Sequence, residues 1–190
     1  MAGAALASLG RRAPVPGGEL CRQDGQLRFA SEDFDAAIHF GRADWPQARH
    51  DFLFREEAVP VCAPGWLAEN PIAQAVDLRD KPLLVLTSRR DAWARWFQDA
   101  GVAPPVRESG PTFEHFLMLA QAAAAGAGVA LVPKFLVEPE LEAGILVVPI
   151  DRSMATDEAY YLVYPEARLA RPMFPAFRDW ILREARGGTR

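Results

Sequence analysis

Residues suited to binding an anion stand at two predicted helix starts in this sequence. One group opens the helix predicted within residues 112–133, and its members are Thr112, Phe113, Glu114 and His115. The other pair, Thr87 and Ser88, follows an apolar run at 83–86 and precedes a helical pattern. The unpaired backbone N–H groups of a helix start favour a bound anion. Helix capping is the simpler alternative, by Thr112 in one case and by Ser88 with Asp91 as its capping-box partner in the other.

A second set of candidates lies near the two ends of the sequence. Gly41 and Arg42 end an apolar run, and the planar guanidinium of Arg42 could pair with a carboxylate or phosphate. A surface pair with Asp44 is the simpler alternative. Tyr160 and Tyr161 occupy a predicted strand, where alternation directs one ring to each face. We expect one ring to pack and the other to be available to a ligand.

No pattern for catalysis, metal binding or nucleotide binding accompanies these residues. The three histidines, His39, His50 and His115, are scattered, and no Cys/His spacing matches a metal site. Neither a G-x-S-x-G elbow nor a phosphate-binding glycine loop is present. Cys62 lies in an apolar run and is most simply a small core residue. We therefore predict no catalytic residue, no metal and no cofactor.

The elements that would position the candidates alternate between strand and helix. Within residues 112–133, apolar side chains at 113, 116, 117 and 120 have helical spacing. Gly126 and Gly128 then form a turn, and an apolar run at 129–132 reads as a strand covered on both faces. Ligands of such α/β sheets bind where helix starts and strand ends meet.

The rest of the sequence continues this alternation, so the predicted class is α/β. We predict strands at 27–30, 34–40, 52–54, 58–62, 83–86, 106–108, 145–148 and 160–164, with 34–40 buried. We predict helices at 65–69, from Ser88 to about residue 101, at 134–141, and around Phe174, Phe177, Trp180 and Ile181.

Composition restricts the function further. The chain has 190 residues, 50% of them hydrophobic, and a net charge of −4. This charge argues against a broad nucleic-acid-binding face on these residues. Two cysteines make no disulfide framework, and no apolar run approaches a membrane span of about 20 residues. The basic residues follow the weak apolar run at 2–9, which is the wrong order for a secretory signal. We predict a cytoplasmic protein with a poorly ordered segment at 1–26.

Two proline-terminated runs divide the sequence into two lobes. They are EEAVPVCAP at 56–64 and AYYLVYP at 159–165, and the sequence between them is long enough for a small α/β lobe. What precedes and follows them would form the second lobe. Two strands crossing between lobes would form a hinge, and hinged lobes commonly close on a ligand.

Several motifs in this order resemble the effector-binding domain of LysR-type transcriptional regulators, in the subgroup of the glycine-cleavage activator. The motifs are FDAAIHFGRADWP, EEAVPVCAP, DLRDKPLL, SRRDAWARWF, QAAAAGAGVALVP and YYLVYP followed by FRDWI. Each motif alone is weak, but their order and spacing together are specific. The resemblance covers residues 27–186.

The resemblance implies two Rossmann-like subdomains, as in type 2 periplasmic binding proteins. Subdomain I would comprise 27–59 plus 165–186, subdomain II would comprise 64–159, and the hinge strands would lie near 58–63 and 160–164. The family's effector, a small molecule, binds in the cleft between the subdomains, at the candidate residues named above. Such proteins are bacterial, act as dimers or tetramers, and contact DNA through a helix-turn-helix domain that this chain lacks. The first strand and helix of subdomain I also have no counterpart in the sequence.

Two other functions compete with an effector-sensing domain. A periplasmic solute-binding protein would have similar lobes, but it requires export. A small α/β enzyme would need a catalytic constellation, and the sequence offers none.

Overall fold

Six strands lie in the part of the chain that the computed structural model describes, residues 34–105 and 110–187. They are β1 (Ala37–Gly41), β2 (Arg49–Val61), β3 (Leu83–Leu86), β4 (Thr112–Phe113), β5 (Val129–Pro133) and β6 (Met154–Tyr164). The α-helices are α1 (Pro64–Glu69), α2 (Ala92–Asp99), α3 (Phe116–Ala124), α4 (Glu138–Glu142) and α5 (Phe174–Gly187). Short 3-10 helices cover Ala75–Asp80, Thr87–Arg89, Lys134–Leu136 and Glu166–Ala170. The predicted α/β class is confirmed.

The strands are hydrogen-bonded in the order β1-β6-β2-β5-β3-β4. The described residues divide into two compact units, with 34–56 and 156–187 in unit 1 and the residues between them in unit 2. The chain passes from one unit to the other within β2 and within β6. In unit 1, β1 pairs antiparallel with β6. In unit 2, β5 pairs antiparallel with β2 and parallel with β3.

The core of unit 2 covers both faces of its strands. In β3, Leu83 and Val85 belong to a cluster that contains the aromatic side chains of α2, namely Trp93, Trp96 and Phe97. The alternate residues Leu84 and Leu86 belong to a separate cluster with Leu119, Ala120 and Ala123 of α3. Since alternate side chains of a strand point to opposite faces, the two helices cover opposite faces of β3. Trp93 also donates its indole N–H to the Leu84 carbonyl at 2.9 Å, which satisfies a buried polar group.

Gly128 allows β5 to lie against the residue that precedes β3. Its φ is +143°, and a Cβ atom there would lie 2.3 Å from the Pro82 carbonyl oxygen. The next residue, Val129, donates its N–H to that same oxygen at 2.9 Å. A larger side chain at 128 would therefore have to separate the two strands or break this hydrogen bond.

In unit 1, a network of polar and charged side chains connects helix α5 to strands β2 and β6. Arg178 of α5 donates to both carboxylate oxygens of Asp51 in β2, at 2.6 and 3.1 Å. The Tyr164 hydroxyl of β6 donates to Asp51 at 2.7 Å. Burial alone would raise the pKa of Asp51, but the hydrogen bonds from Arg178 and Tyr164 outweigh it and lower the pKa. The carboxylate of Asp51 in β2 thus accepts hydrogen bonds from both β6 and α5.

Several predicted boundaries were wrong. The run at 52–54 and the run at 58–62, apart from Cys62, are parts of one strand, β2, whose continuity is hidden by the charged residues 55–57. The strand predicted as buried at 34–40 is β1, which is half-buried except at Gly41 because it lies at the end of the strand order. The helix predicted at 134–141 is a 3-10 turn followed by α4, because Pro139 fits the first turn of a helix but not its interior.

Other predictions on this part of the sequence have mixed outcomes. Residues 145–148 make one isolated bridge, between Val147 and Cys62, and no strand. The helix predicted at 65–69 is confirmed as α1, and the C-terminal helix is confirmed as α5. The predicted strands at 27–30 and 106–108 and the segment at 1–26 lie outside the described residues.

Replacing Gly128 by alanine will destabilise the protein by about 2 to 4 kcal/mol, because the new methyl group collides with backbone and the φ is strained for alanine. Urea unfolding measures the loss. Gly65→Ala is the matched control, since a Cβ atom at residue 65 in α1 meets nothing within 4 Å. A loss of similar size in both variants would contradict the proposed steric cause.

Asp51→Asn will destabilise the protein by about 1 to 2 kcal/mol at pH 7. The folded pKa of Asp51 lies below its ordinary value, so its contribution is present above about pH 4 and is lost as the pH falls through the folded pKa. The stability difference between wild type and variant therefore shrinks on acidification. Urea titrations at neutral and acidic pH measure it, with Asp80→Asn at an exposed carboxylate as the control. A difference independent of pH would argue against the charged network.

Candidate functional site

The structure brings the two predicted anion-binding groups together at one edge of unit 2. Strand β4 pairs parallel with β3, so that Val85 lies opposite Thr112 and Leu86 opposite Phe113. Both strands therefore end at the same edge. Immediately beyond β3, the Thr87 hydroxyl donates to the Phe113 carbonyl at 2.7 Å. We call the residues at this edge, Thr87, Ser88, Thr112, Phe113, Glu114 and His115, the strand-end cluster.

The helix of this cluster begins later than predicted. Residues 112–115 were expected to open the helix, but Thr112–Phe113 is strand β4 and α3 begins at Phe116. The N-cap residue is His115, in extended conformation, and its side chain makes no capping hydrogen bond. Thr112 therefore does not cap the helix. The pairing of β4 with β3 overrides the helical spacing of residues 112–115.

The predicted cap at Ser88 is also wrong. Residues Thr87–Arg89 form a 3-10 turn, and α2 starts at Ala92 with Asp91 in the N-cap position and no side-chain cap. The 3-10 turn separates Ser88 from the helix. Ser88 is exposed and remains next to Thr87 at the end of β3.

One cation of this edge is not among the candidates chosen from the sequence. The guanidinium carbon of Arg89 lies 5.0 Å from the ring centroid of Phe116, the first residue of α3. This cation–π contact holds a positive charge at the helix start, where the backbone dipole also favours an anion. In the sequence, Arg89 could have been chosen because it directly follows Thr87 and Ser88. Its position next to α3, however, depends on the pairing of β3 with β4.

The remaining candidates lie in unit 1. Gly41 ends β1 with a φ of +152°, and a Cβ atom there would lie 2.7 Å from Nε2 of His39. Arg42 follows it and is exposed. Burial is the largest influence on His39 and lowers its pKa; Asp44 opposes this shift, His50 adds to it, and Glu158 opposes it. A neutral His39 is therefore favoured beside Gly41 at pH 7.

The two tyrosines of β6 contact different side chains. The Tyr160 ring has its centroid 4.9 Å from that of Phe40 and 4.8 Å from that of Phe54. Tyr161 makes edge contacts with His50 and Phe52 at 6.3 and 6.0 Å. Tyr160 is packed between aromatic rings, and its hydroxyl donates to Glu56 at 3.1 Å.

Reactive groups are few in the described ranges. Burial raises the pKa of the Cys62 thiol to about 11, so the thiol is protonated at neutral pH and is a poor nucleophile. No group of three His, Cys, Asp or Glu side chains in residues 34–105 and 110–187 is arranged to hold a metal ion. Within the same ranges, no helix has the length and apolar character needed to cross a bilayer.

Comparison with solved structures defines the class of this domain. The effector domain of the transcriptional regulator AmpR of Pseudomonas aeruginosa matches with a TM-score of 0.72 and 29% identity, over 85% of this chain and 77% of that one. The fold is therefore that of the two-subdomain, type 2 periplasmic-binding-protein-like effector domains.

The sequence comparisons identify the family. The model of the LysR substrate binding domain matches residues 4–186, and the chain belongs to this family. The glycine cleavage system transcriptional activator of Escherichia coli K12 is 38% identical over 86% of this chain and 53% of its own length. The transcriptional activator AmpR of Providencia stuartii is 35% identical over 83% of this chain and 52% of its own. The chain thus spans about half the length of these relatives.

These matches confirm the resemblance drawn from the motifs and favour an effector-binding domain over a solute-binding protein or an enzyme. The family match begins at residue 4, so it extends further than the range 27–186 inferred from the motifs.

Thr87→Val will remove the hydrogen bond between the ends of β3 and β4 and will destabilise the protein by about 0.5 to 1.5 kcal/mol. The Val85 N–H, which donates to the Pro111 carbonyl at 3.0 Å across the same strands, will exchange faster with solvent. Urea unfolding and amide hydrogen exchange measure these two effects. Thr87→Ser keeps the hydroxyl and serves as the control. Unchanged exchange at Val85 in the valine variant would show that this hydrogen bond does not hold β4.

Proposed function

We propose that this chain senses a small metabolite and passes the binding event to DNA-binding domains of a LysR-type regulator, without catalysis. The observation that supports it most directly is the hydrogen bond from Thr87 to Phe113. This bond fixes the strand-end cluster at the edge of an α/β sheet where ligands commonly bind.

The strand-end cluster suits an anionic group. The N-terminal N–H groups of α3, the hydroxyl of Ser88 and the cation of Arg89 all belong to this edge. Thr87 already donates its hydroxyl hydrogen to Phe113, so its oxygen offers only lone pairs to a ligand. The effector in this proposal is therefore a small carboxylate or phosphate that also carries hydrogen-bond donors.

A second group of contacts is proposed on unit 1. It comprises Gly41, Arg42, Tyr160 and Tyr161, with Arg42 as a further partner for an anion. Units 1 and 2 would then be the two subdomains of the family, with the bounds and the hinge strands proposed from the sequence. An effector would favour one conformation of the domain only by its difference in affinity between conformations.

The remaining features of the proposal follow from the family. The domain acts in the bacterial cytoplasm as a homo-oligomer, and it reaches DNA through a helix-turn-helix domain of the whole regulator. Like its relatives that are named transcriptional activators, that regulator would control transcription. Effector sensing of this kind requires no reactive side chain.

Thermal-shift screening of the purified chain against anionic metabolites tests the proposal. A metabolite at about one hundred times its Kd stabilises the folded state by about 2.7 kcal/mol, which raises the Tm by roughly 5 to 10 °C. Calorimetry of a positive compound will show about tenfold or greater loss of affinity in Arg42→Gln, because a charge-assisted hydrogen bond is lost.

Arg79→Gln, at an exposed arginine of the 3-10 helix Ala75–Asp80, is the matched control and will bind normally. Ser88→Ala tests the strand-end cluster in the same way. A ligand whose affinity is unchanged in both Arg42→Gln and Ser88→Ala would place the binding site elsewhere.

A further inference from the structure

The loop between β1 and β2, residues 42–48, is anchored in unit 1 by Trp45. This side chain is 8% exposed, whereas the other residues of the loop are exposed or half-buried. Gln47 has a φ of +60°, which is a strained conformation for a residue other than glycine. Such a conformation persists only where surrounding contacts hold it, and the contacts of Trp45 lie two residues away.

Two histidines contact Trp45 from different strands. His50 of β2 accepts the backbone N–H of Trp45 at Nε2, over 3.0 Å. The ring of His39 in β1 and the indole ring of Trp45 meet edge to face, with 4.8 Å between their centroids. The buried residue of the loop is therefore held at its backbone by one imidazole and at its side chain by another.

The hydrogen bond between Trp45 and His50 exists only while His50 is neutral. A neutral imidazole has one accepting nitrogen, which here is Nε2, and its hydrogen lies on Nδ1. In the imidazolium both nitrogens carry hydrogen, and neither can accept. Nε2–H of a protonated His50 would then face the N–H of Trp45, so that two donors meet at hydrogen-bonding distance. One of the two groups must move away.

The groups around His50 come from three elements. The ring of Tyr161 in β6 contacts the His50 ring edge-on, with 6.3 Å between centroids. His39 of β1 is close enough for the charges of the two histidines to interact. On β2 itself, the adjacent residues Arg49 and Asp51 form ion pairs with other elements of unit 1. Histidine is the side chain among these that ordinarily changes charge between about pH 5 and 8.

The second histidine is held in its neutral form. Burial is the largest influence on His39 and lowers its pKa, Asp44 of the loop opposes this shift, His50 adds to it, and Glu158 of β6 opposes it. A proton on His50 thus makes a proton on His39 less favourable. The contact between His39 and Trp45 does not require a charge, so the group whose protonation breaks a contact of the loop is His50.

We propose that His50 is a proton-sensitive latch, which holds Trp45 and the loop at 42–48 when it is neutral and releases them when it is protonated. The strands β1, β2 and β6 keep their pairing in both states. The loop also carries Arg42, but the inference does not depend on the effector contact proposed for that residue. Protons are thus an input to unit 1 that is separate from the effector of the proposed function.

An NMR titration of the purified, isotope-labelled chain tests the latch. The ¹³Cε1 shift reports the charge of His50, and the hydrogen-exchange protection factor reports the Trp45 amide after correction for the intrinsic pH dependence of exchange. From about pH 7.5 to about pH 5.5, the protection of Trp45 will fall about five- to tenfold, with the midpoint of the His50 titration. The amides that pair β1 with β6 will keep their protection.

Two variants assign the response to one histidine. His50→Gln supplies an amide oxygen that accepts a hydrogen bond but does not titrate, so Trp45 will keep its protection at both pH values. His39→Phe keeps an aromatic ring beside Trp45 and removes the other titrating group, so the fall seen in the wild type will persist. His115→Gln, in unit 2, is the matched control for the loss of a histidine and will behave as the wild type.

Four outcomes overturn the proposal. The first two need only the wild-type chain, so they remain decisive even where a variant fails to fold: His50 stays neutral down to about pH 5, or it titrates while the protection of Trp45 is unchanged. The third is a fall in protection that persists in His50→Gln. The fourth is a fall that disappears in His39→Phe, which would make His39 the titrating group.

Discussion

The parallel pairing of β3 with β5 and β4 is the interaction on which the candidate site of unit 2 depends. Parallel strands that are buried on both faces need a helix on each side, and α2 and α3 fill those positions against alternate residues of β3. The same pairing makes β3 and β4 end together. Thr87 can reach the Phe113 carbonyl only because of this shared edge. The packing of apolar side chains therefore determines where the polar groups of the site lie.

Much of this architecture could be predicted from apolar spacing. The predicted runs at 83–86 and 129–132 and the aromatic spacing of Trp93, Trp96 and Phe97 all correspond to observed elements. A buried helix or strand leaves a periodic spacing of apolar residues in the sequence. A glycine with positive φ, such as Gly126, marks the turn between helix and strand. The charged residues 55–57 carry no such signal, so the continuity of β2 was not foreseen.

The candidate site was predicted less completely, for physical reasons that particular residues illustrate. Thr87 and Phe113 are 26 positions apart, and their hydrogen bond exists only once two strands pair. Local spacing could not show that residues 112–113 would join the sheet and that α3 would start at Phe116. The burial of Glu56 was equally hidden, because a sequence of charged residues gives no indication of which carboxylate is buried. Long-range pairing decides all three cases.

The division of the chain between the units has a consequence for its synthesis. Unit 2 is one continuous stretch, whereas unit 1 combines segments from both ends of the described chain. As the polypeptide leaves the ribosome, unit 2 can close its core around β3 while the partner strand of β1 is still unmade. Arg178 follows unit 2 in the sequence, so Asp51 can acquire its ion pair only after unit 2 has been synthesised. The first segment of unit 1 therefore keeps unpaired strand edges while roughly a hundred further residues are synthesised. Unpaired strand edges favour association with other chains.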